Sequence, residues 1–407
     1  MKRIVILCDG TWNKVDSLYP TNVVRLAQAM QSVDYVGVAQ VPIYVPGVGT
    51  GKGVTAFSRW SDKYLGGMFG WGLLDNIAAA YQHLVFLYEP GDEIYIFGFS
   101  RGAYTARSLT GLIRSTGIIS RDHLYLLPEA IRRYRIVDDE TKHPDSEESH
   151  QHRLKMSPLI VTSDKERIWR LDNEQTVENP AGPLEPFKLT ITHLGVWDSV
   201  GALGVPRHLS LAGLFSRKKY QFHDADLSSM VESARHAIAL DERRRTFEPT
   251  RWTNLQDLQQ SKEDGAHRYQ EKFLLGDHGS VGGGGDILAL SSIGLSWILE
   301  GAQACGLAFK AKAVRGIAKQ QDPLGPLRNT TQKPSFMARA LAASARDRKG
   351  PSSINELHPA VLERLAGESS SPQRPSYNPG SLALIDRASL LAAAEEVGAS
   401  DAPQFQP

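Results

Sequence analysis

Short, continuous apolar runs alternate with segments of helical spacing over the first part of the chain. The apolar runs occupy residues 4–8, 41–45 and 93–97. The first run lacks polar positions, which predicts a strand that is covered on both faces. The run at residues 93–97 is aromatic and β-branched after Glu93, which predicts another buried strand. Amphipathic helices are predicted from Thr21 onward, over residues 73–88 and over residues 103–113. Strands that alternate with helices predict the α/β class, with a mostly parallel sheet and helices on both of its faces.

The pattern changes after the third helical segment. Residues 138–153 are almost wholly polar, which predicts an exposed excursion or a partly disordered loop. Later spacing predicts strands over residues 189–196 and 272–275 and helices over residues 230–240 and 287–299. Beyond residue 350 the chain is rich in serine and proline, so residues 369–379 are predicted to be extended and residues 398–407 to form a disordered tail.

Composition and charge narrow the class of protein. The chain has 407 residues, of which 41% are hydrophobic and 22% charged, which is typical of a globular protein with one elaborated domain or two. A formal net charge of +1 argues against nucleic acid as a partner. The two cysteines, Cys8 and Cys305, exclude a disulfide framework. No Cys/His spacing indicates zinc and no acidic loop matches a calcium-binding hand, so we expect neither a metal nor another cofactor.

The N-terminal residues resemble a signal peptide only superficially. Their apolar run ends at Asp9, and no small-residue cleavage site follows. No stretch of the sequence approaches the roughly 18 apolar residues of a membrane span. These features, with the low cysteine content, predict a cytoplasmic protein, and any export must proceed without a cleaved signal.

The strongest candidate for chemistry is the sequence Gly-Phe-Ser-Arg-Gly-Ala at residues 98–103. It joins a predicted strand to a predicted helix, and Gly-x-Ser-x-Gly in that position is typical of a nucleophile elbow. The glycines suit a tight turn, where neighbouring chains pass too close for a Cβ atom. An ordinary strand-to-helix turn is the alternative, and the flanking elements argue against it. Ser100 is therefore the predicted nucleophile of a hydrolase.

A serine nucleophile needs a histidine to take its proton and an acid to orient that histidine. After this motif, the acid typically precedes the histidine along the chain. Asp198 directly follows the predicted strand 189–196, at the edge where an open α/β sheet binds its ligand. His278 follows the predicted strand 272–275 and lies just before a run of four glycines, which leaves room for an imidazole ring. Asp198 and His278 are the predicted acid and base.

The alternatives to these two assignments are structural roles. Asp198 also suits a turn or the N-cap of a following segment. Two other histidines, His193 and His236, lie inside a strand pattern and a helix pattern, and both are more easily explained as structural.

Hydrolysis through a serine also needs two N–H groups that stabilise the oxyanion. One is predicted from Arg101, the residue after the nucleophile. The second is predicted from the loop after the first strand, at Gly10 and Thr11, in preference to the Gly-rich loop at residues 46–51. Asp9, in the first of these loops, could instead orient the elbow or Arg101 through hydrogen bonds.

These motifs together resemble the α/β-hydrolase domain of type VI secretion lipase effectors and their uncharacterised relatives. The matching segments cover roughly residues 1–300 in the family's order, at residues 7–13, 46–51, 98–107 and 195–201 and at His278 with its glycines. The resemblance implies an α/β-hydrolase fold with a triad of Ser100, Asp198 and His278. For the characterised effectors it implies phospholipase A-type hydrolysis of glycerophospholipids.

The resemblance departs from the family pattern near the histidine. The family usually has His-Ser-Asp, whereas this chain has His-Gly-Ser at residues 278–280, so that Ser280 replaces an aspartate. Asp277, immediately before the histidine, is the candidate for its supporting role. The large membrane-associating C-terminal region of some effectors has no obvious counterpart in this chain.

Residues 1–340 are predicted to form the α/β-hydrolase catalytic domain. Cap insertions are predicted over about residues 118–187 and 202–270, and residues 341–407 are predicted to form a peripheral extension rich in serine and proline. Within the second insertion, apolar residues 209–215 and the basic cluster after them predict a helix packed on the core, with contact to an anionic membrane as the alternative.

Three functions are compatible with the sequence. The first is a serine esterase, in particular a phospholipase A-type lipase and type VI antibacterial effector. The second is a cytoplasmic esterase that acts on a non-lipid substrate, and the third is a catalytically reduced interaction protein. The expected partners are a phospholipid or another ester substrate and a peripheral membrane surface, together with a secretion adaptor or an immunity protein if the chain is exported.

Overall fold

A computed structural model describes residues 1–49, 69–136, 139–175, 177–179, 182–201, 226–260, 268–332, 345–369 and 377–400. Its strands are β1 (Arg3–Cys8), β2 (Gln40–Val45), β3 (Glu93–Phe99), β4 (Ile160–Val161), β5 (Val177–Asn179), β6 (Gly182–Leu184), β7 (Phe187–Lys188), β8 (His193–Trp197), β9 (Ala234–Ala239) and β10 (Tyr269–Leu274). Its helices are α1 (Asn22–Ala29), α2 (Phe69–Leu87), α3 (Arg101–Thr116), α4 (Leu127–Tyr134), α5 (Glu147–Met156), α6 (Asp164–Asp172), α7 (Leu255–Gln260), α8 (His278–Gly282), α9 (Ala289–Ala304), α10 (Ala311–Lys319), α11 (Pro359–Ser369) and α12 (Arg387–Ser400).

The central sheet has six strands in the spatial order β2, β1, β3, β8, β9, β10, and every neighbouring pair is parallel. The order in which successive strands are added to the sheet reverses at β1, because β2 lies on one side of β1 and the later strands lie on the other. Ligand crevices of open α/β sheets lie at such a reversal, outside the carboxyl ends of the strands. Cys8, Gly98 and Val196 are in register near that edge, so the residues after them meet there. The predicted α/β class is confirmed.

Alternate residues of β1 belong to two apolar clusters. Ile4 and Ile6 pack in one cluster with α2 and α3, whereas Val5 and Leu7 pack in the other with α1 and α9. All four side chains are completely buried. A strand that is covered on both faces has no polar positions, which explains the continuous apolar run at residues 4–8.

The helix predicted over residues 230–240 is wrong, because β9 lies there. This strand pairs in parallel with β8 on one side and β10 on the other. Its alanines favour a helix by intrinsic propensity, but pairing within the sheet overrides that preference. The predicted cap at residues 202–270 is therefore not a single cap, since it contains a strand of the main sheet. Residues 202–225, with the apolar segment 209–215, lie outside the described part of the chain.

The other predicted cap, residues 118–187, packs away from the elbow. Helix α3 begins beside Ser100 and has 16 residues, which corresponds to about 24 Å at a rise of 1.5 Å per residue. The insertion binds the last turn of this helix: Ser157 Oγ donates to Thr116 O at 3.1 Å, and Arg153 Nη1 donates to Ser115 O at 3.3 Å. These contacts place the described part of the insertion at the C-terminal end of α3 and not at its N-terminal end beside Ser100.

A cluster of charged side chains forms the core of this insertion. Arg153 lies at the end of residues 138–153, for which the sequence predicts an exposed or partly disordered loop, and the other members follow that segment. Arg153 of α5 and Glu166 and Arg170 of α6 are completely buried. Arg153 Nε and Arg170 Nη2 each donate to a different Glu166 carboxylate oxygen at 2.7 Å. Hydropathy patterns do not reveal such a core, because ion pairs occupy the positions that apolar groups usually fill.

We expect Glu166→Gln to lower the free energy of unfolding by about 3–5 kcal/mol, because it leaves two buried guanidinium groups without a carboxylate. Burial opposes ionisation of Glu166, but the two arginines outweigh it and hold its pKa below the usual range. The stabilisation is therefore present above the unfolded carboxyl pKa of about 4.3 and is lost as the pH falls. Urea denaturation at neutral pH measures the change. Glu147→Gln, at an exposed position of α5, is the control; an equal loss in both variants would contradict the prediction.

The C-terminal residues are predicted to be peripheral, and their described part contradicts this. Leu357 forms a parallel bridge with Phe273 of β10, and Val361 of α11 is completely buried. Both belong to the apolar cluster that contains α1 and α9. Residues 398–400, predicted as tail, are the end of α12. Residues 370–376 of the predicted extended segment lie outside the described residues. The serine and proline content of this segment does not reveal its burial, because a small number of apolar residues, such as Leu357 and Val361, anchor it in the core.

Candidate active site

A strained turn joins β3 to α3 at the predicted nucleophile. Ser100 has φ 59° and ψ −124°, and a positive φ is uncommon for a residue other than glycine. Its peptide N–H donates to Trp197 O at 3.0 Å, which ties this turn to the end of β8. The turn therefore holds Ser100 at the carboxyl edge of the sheet, at the N-terminus of α3.

Both glycines of the motif are required by close approach of the backbone. A Cβ atom at Gly98 would lie 2.5 Å from Gly102 O, and one at Gly102 would lie 2.2 Å from Cys8 O. Backbone carbonyl groups of neighbouring elements cannot yield as a flexible side chain can. The sequence argument for the two glycines thus agrees with the packing of α3 against β1 and β3.

Asp198 directly follows β8, and its side chain is completely buried. Its φ of 39° makes it a second strained residue at this edge of the sheet. The end of β9 fixes it, because its N–H donates to Ala237 O at 2.7 Å and its Oδ1 accepts the Ala239 N–H at 2.9 Å. The carboxylate is thereby oriented by backbone groups before any side chain contacts it.

His278 is the first residue of α8, the short helix that follows β10. Its Nδ1 lies 2.6 Å from Asp198 Oδ2. An ionised carboxylate can only accept a hydrogen bond, so Nδ1 carries the hydrogen and Nε2 is left as the proton acceptor. The imidazole packs against Phe99 and Phe247, with ring centroids 4.6 Å and 4.7 Å away.

The structure brings the predicted nucleophile, acid and base to one edge of the sheet. Phe99, whose ring packs on His278, directly precedes Ser100. Trp197, which accepts the Ser100 N–H, directly precedes Asp198. A hydrogen bond joins Asp198 to His278, whereas within the described residues none joins His278 to Ser100 Oγ. Catalytic hydrogen bonds are often long without substrate and shorten in the substrate complex.

Arg348 also belongs to this site. Its Nη1 donates to Asp198 Oδ1 at 2.7 Å and its Nη2 donates to Oδ2 at 2.9 Å. Burial opposes ionisation of Asp198, but the Arg348 guanidinium and the hydrogen bond from His278 outweigh it and hold the pKa of this carboxyl well below its usual range. Sequence reasoning missed Arg348, because no motif surrounds it and its segment is predicted to be peripheral.

The loop after β1 lies against the nucleophile. A Cβ atom at Gly10 would come within 3.2 Å of Ser100 Cβ. The Gly10 N–H donates to Asp9 Oδ1 at 2.7 Å. The Thr11 N–H makes no hydrogen bond within the described residues, and Thr11 Oγ1 is buried without a partner there. Of the N–H groups at Gly10 and Thr11, only the one at Gly10 has a partner within the described residues.

The second candidate loop, residues 46–51, lies behind the first. A Cβ atom at Gly47 would lie 1.8 Å from Gly10 O, and Val48 O accepts the Trp12 N–H at 3.2 Å. These contacts place the Gly10 segment between this loop and the serine. Residues 50 and 51 lie outside the described part of the chain.

Asp9 anchors the loop after β1 to the neighbouring elements. Its Oδ1 accepts the Thr21 hydroxyl at 2.9 Å as well as the Gly10 N–H, and its Oδ2 accepts the Tyr44 hydroxyl at 2.8 Å. Burial raises the pKa of the Asp9 carboxyl, and these hydrogen bonds oppose the rise. The hydrogen bonds of Asp9 thus reach β2 and the start of α1.

Asp277 and Ser280 form an N-cap pair at the start of α8. Asp277 Oδ1 accepts the Ser280 N–H at 2.9 Å, and Ser280 Oγ lies 2.7 Å from Leu327 O. The carboxylate that contacts the histidine backbone is Glu242, whose Oε2 accepts the His278 N–H at 3.2 Å. Ser280 therefore helps to fix the helix that carries His278. This contact does not need the aspartate that the family pattern has at this position.

The two alternative histidines are completely buried. Burial lowers the pKa of His193 to about 3, with a further contribution from Arg235. His236 Nδ1 lies 2.8 Å from Glu271 Oε1, and its Nε2 accepts the Ser199 N–H at 3.2 Å. His236 thus supports the residue after the predicted acid, and both histidines fit the structural roles expected of them.

In the described ranges, no group of three or more His, Cys, Asp or Glu side chains is placed to hold a metal ion. Nor does any helix in those ranges combine the length and the apolar character that are needed to cross a bilayer. The segment 209–215, the candidate membrane contact, falls outside them.

The chain is similar in sequence or in structure to several known proteins. Residues 2–301 match the family described as "T6SS, Phospholipase effector Tle1-like, catalytic domain". The Uncharacterized protein YEL023C of Saccharomyces cerevisiae is 27% identical over 257 residues, which cover 60% of this chain and 32% of the yeast protein. A solved structure of an uncharacterized protein from Pseudomonas aeruginosa is 15% identical with a TM-score of 0.40, and the match covers 100% of this chain and 60% of that chain. The Tle1 effector bound to the VgrG spike from the Type 6 secretion system is 16% identical with a TM-score of 0.32, and the match covers 69% of this chain and 50% of that chain.

The chain spans about a third of the yeast relative and half to three fifths of the two solved chains. The family match, by contrast, covers most of the present chain, including Ser100, Asp198 and His278 but not Arg348. This chain therefore belongs to the Tle1-like phospholipase effector family of type VI secretion, and its residues 2–301 match the catalytic domain of that family.

Proposed function

We propose that the protein is a serine esterase that cleaves the carboxylic esters of glycerophospholipids, as a phospholipase A does, through an acyl-enzyme at Ser100. The observation that carries the proposal is the 2.6 Å hydrogen bond between His278 Nδ1 and Asp198 Oδ2, made beside the strained turn of a serine. Membership of a phospholipase effector family supports a lipid as the substrate.

In the proposed first step, Ser100 Oγ attacks the ester carbonyl carbon while His278 Nε2 takes the hydroxyl proton. The hydrogen on Nδ1 stays on the ring, and the Asp198 carboxylate stabilises the imidazolium ion. When the tetrahedral intermediate collapses, the bond to the alcohol oxygen breaks and His278 returns the proton to that oxygen. A water molecule then attacks the acyl-enzyme while His278 takes its proton. His278 returns this proton to Ser100 Oγ as the bond between Oγ and the acyl carbon breaks and the fatty acid leaves.

We assign the oxyanion to the N–H groups of Arg101 and Thr11. Arg101 directly follows Ser100 and is the first residue of α3, so its N–H lies at the positive end of the helix dipole. Thr11 follows Gly10, whose own N–H is engaged by Asp9. Gly10 is therefore the weaker of the two candidates, and its role is to let the loop approach Ser100 closely.

We expect Gly102→Ala to lower kcat/KM about 100-fold or more, because the methyl group must push α3 away from Cys8 and displace the serine turn. Hydrolysis of a soluble p-nitrophenyl ester measures the loss. Gly316→Ala, at an exposed position of α10 where a Cβ atom meets nothing within 4 Å, is the matched control. The control should keep its activity and gain up to about 1 kcal/mol of stability. Equal activity in the two variants would contradict the prediction.

The substrate is tested with vesicles of phosphatidylethanolamine and phosphatidylglycerol and, separately, with a soluble short-chain ester. Release of fatty acid together with lysophospholipid supports the phospholipase A activity. Cleavage of the soluble ester alone would retain the esterase and overturn the lipid substrate. If the folded protein turns over neither, the enzymatic proposal fails and the interaction protein is favoured.

We also propose that the protein is an antibacterial effector exported by a type VI apparatus, with a secretion adaptor and an immunity protein as partners. The family to which the chain belongs supports this proposal. A tagged copy should accumulate in the culture medium of a strain with an active apparatus and not in that of a strain without its spike. Equal amounts in both media would contradict export by this route.

A further inference from the structure

We infer that Arg348 is a positioning residue of the active site: it supplies the counter-charge of the buried Asp198 carboxylate, so that His278 can remain neutral and act as the base. The inference rests on the proposed esterase function. It also extends the functional site into the C-terminal residues, beyond the family match at residues 2–301.

The hydrogen bonds around the carboxylate lead to this role. Asp198 Oδ1 accepts from the Ala239 N–H and from Arg348 Nη1, and Oδ2 accepts from His278 Nδ1 and from Arg348 Nη2. Of these donor groups, the guanidinium carries a permanent positive charge, the amide carries none and the imidazole carries one only when protonated.

Burial makes the counter-charge necessary. The Asp198 side chain is completely buried and that of Arg348 is only 3% exposed, so water cannot stabilise either charge. Without Arg348, the buried carboxylate would favour the protonated form of His278. A protonated imidazole cannot take the proton of Ser100. Arg348 therefore makes the base available at neutral pH.

The other charged groups around His278 do not replace this charge. Glu242 contacts the His278 N–H, and Asp277 caps its helix, so both add negative charge. Arg244 is positive, but Glu242 Oε1 accepts from its Nε at 2.8 Å, and the Arg244 side chain is 45% exposed. Arg101, at the start of α3, is the charged residue of the elbow itself and makes no hydrogen bond to the Asp198 carboxylate.

The segment that carries Arg348 is fixed on both sides. The Arg346 N–H donates to Arg243 O at 3.0 Å, in the turn after β9. A Cβ atom at Gly350 would lie 1.7 Å from Ser381 O, so the chain passes in close contact with the turn before α12. These contacts position the guanidinium before a substrate binds.

The same side chain also fixes the wall of the imidazole site. Arg348 Nη1 donates to Ala239 O at 2.9 Å, and Nη2 donates to Phe247 O. The Phe247 ring packs edge-on against His278. One guanidinium thus connects the carboxylate, the end of β9 and a ring that contacts the base.

The test is the pH dependence of kcat/KM on a soluble ester for the wild type, Arg348→Gln and Arg348→Lys. Arg348→Gln removes the charge, so the acid limb of its profile should move about one to three pH units higher. Its kcat/KM at neutral pH should fall about tenfold or more and recover at alkaline pH. Arg348→Lys retains the charge, and its acid limb should stay at the wild-type position.

Arg364→Met is the matched control, because Arg364 is another buried C-terminal arginine, with hydrogen bonds to Pro323 O and Gly325 O. Its acid limb should not move. A folded Arg348→Gln that loses activity equally at every pH would overturn the inference and leave Arg348 a structural role. Wild-type protein without hydrolysis would instead overturn the proposed function, so the two failures are distinguishable.

If Arg348→Gln does not fold, the double variant of Arg348→Gln and Asp198→Asn tests whether the two side chains are coupled. Joint removal of both charges leaves no unpaired buried ion, so the double variant should unfold at a higher temperature than either single variant. A double variant that is as unstable as the sum of the two single changes would overturn the coupling between Arg348 and Asp198.

Discussion

Replacement of Ser100 by alanine lowers kcat by a factor on the order of 10⁶, the largest effect that we expect from any substitution in this chain. Without the Oγ atom no acyl-enzyme can form, and the remaining oxyanion donors stabilise only the slow attack of water. The fold should tolerate the change, since alanine retains the Cβ atom and loses only a hydroxyl group at a residue that is 6% exposed. Fatty acid release from vesicles and hydrolysis of a soluble ester both measure the effect.

Ser296→Ala is the control for this substitution. Ser296 is half-buried on α9, where its hydroxyl lies 3.3 Å from a Glu300 carboxylate oxygen. A fluorophosphonate probe should add once to the wild type and to this control, and should not add to Ser100→Ala. Hydrolysis by Ser100→Ala at the wild-type rate would show that another group is the nucleophile.

Asp198→Asn is expected to have the second largest effect, a loss of about 10⁴ in kcat. The asparagine amide group can donate to the imidazole, which favours the tautomer with hydrogen on Nε2, and that tautomer cannot take the serine proton. The substitution also leaves the buried Arg348 charge without its carboxylate, which should cost about 3–5 kcal/mol of stability. Single-turnover hydrolysis and urea denaturation measure the two effects on the same preparation.

Because of the ion pair, the difference in stability between the wild type and this variant depends on pH. Because the pKa of Asp198 is depressed in the folded protein, its contribution to stability is complete above the unfolded carboxyl pKa of about 3.9 and declines as the pH falls below it. The stability gap between wild type and Asp198→Asn should therefore narrow in acid. Asp257→Asn, at an exposed position of α7, should stay within about 0.5 kcal/mol of wild type at every pH. A gap that is constant with pH would contradict the assignment of the charge.

Sequence alone could predict that the candidate nucleophile, acid and base lie at one edge of the sheet, because the signals for them are local. Ser100, Asp198 and His278 each follow a short apolar strand, and parallel strands end at one edge of a sheet. Arg348 lacks such a signal. It lies 150 residues from Asp198 along the chain and has no flanking motif, so only tertiary packing reveals its partner.

The errors in the predicted fold have a common physical cause. β9 is rich in alanine, which favours a helix there, and residues 138–153, which contain Arg153, are polar, which favours an exposed or partly disordered loop. In both cases burial is decided by tertiary partners, two neighbouring strands for β9 and a shared carboxylate for Arg153. Patterns of local hydropathy carry no information on such partners.

The late position of Arg348 has a consequence for synthesis on the ribosome. The serine, the acid and the histidine leave the ribosome well before the arginine that completes their charge balance, and before Leu357, which packs beside the strand that precedes the histidine. Contacts between residues so far apart in sequence form slowly and late. We therefore expect a nascent chain from which Arg348 has not yet emerged to hydrolyse a soluble ester at neutral pH about tenfold or more slowly than the complete protein. Under the proposed function, this order of assembly keeps hydrolysis by the unfinished chain below that of the complete protein.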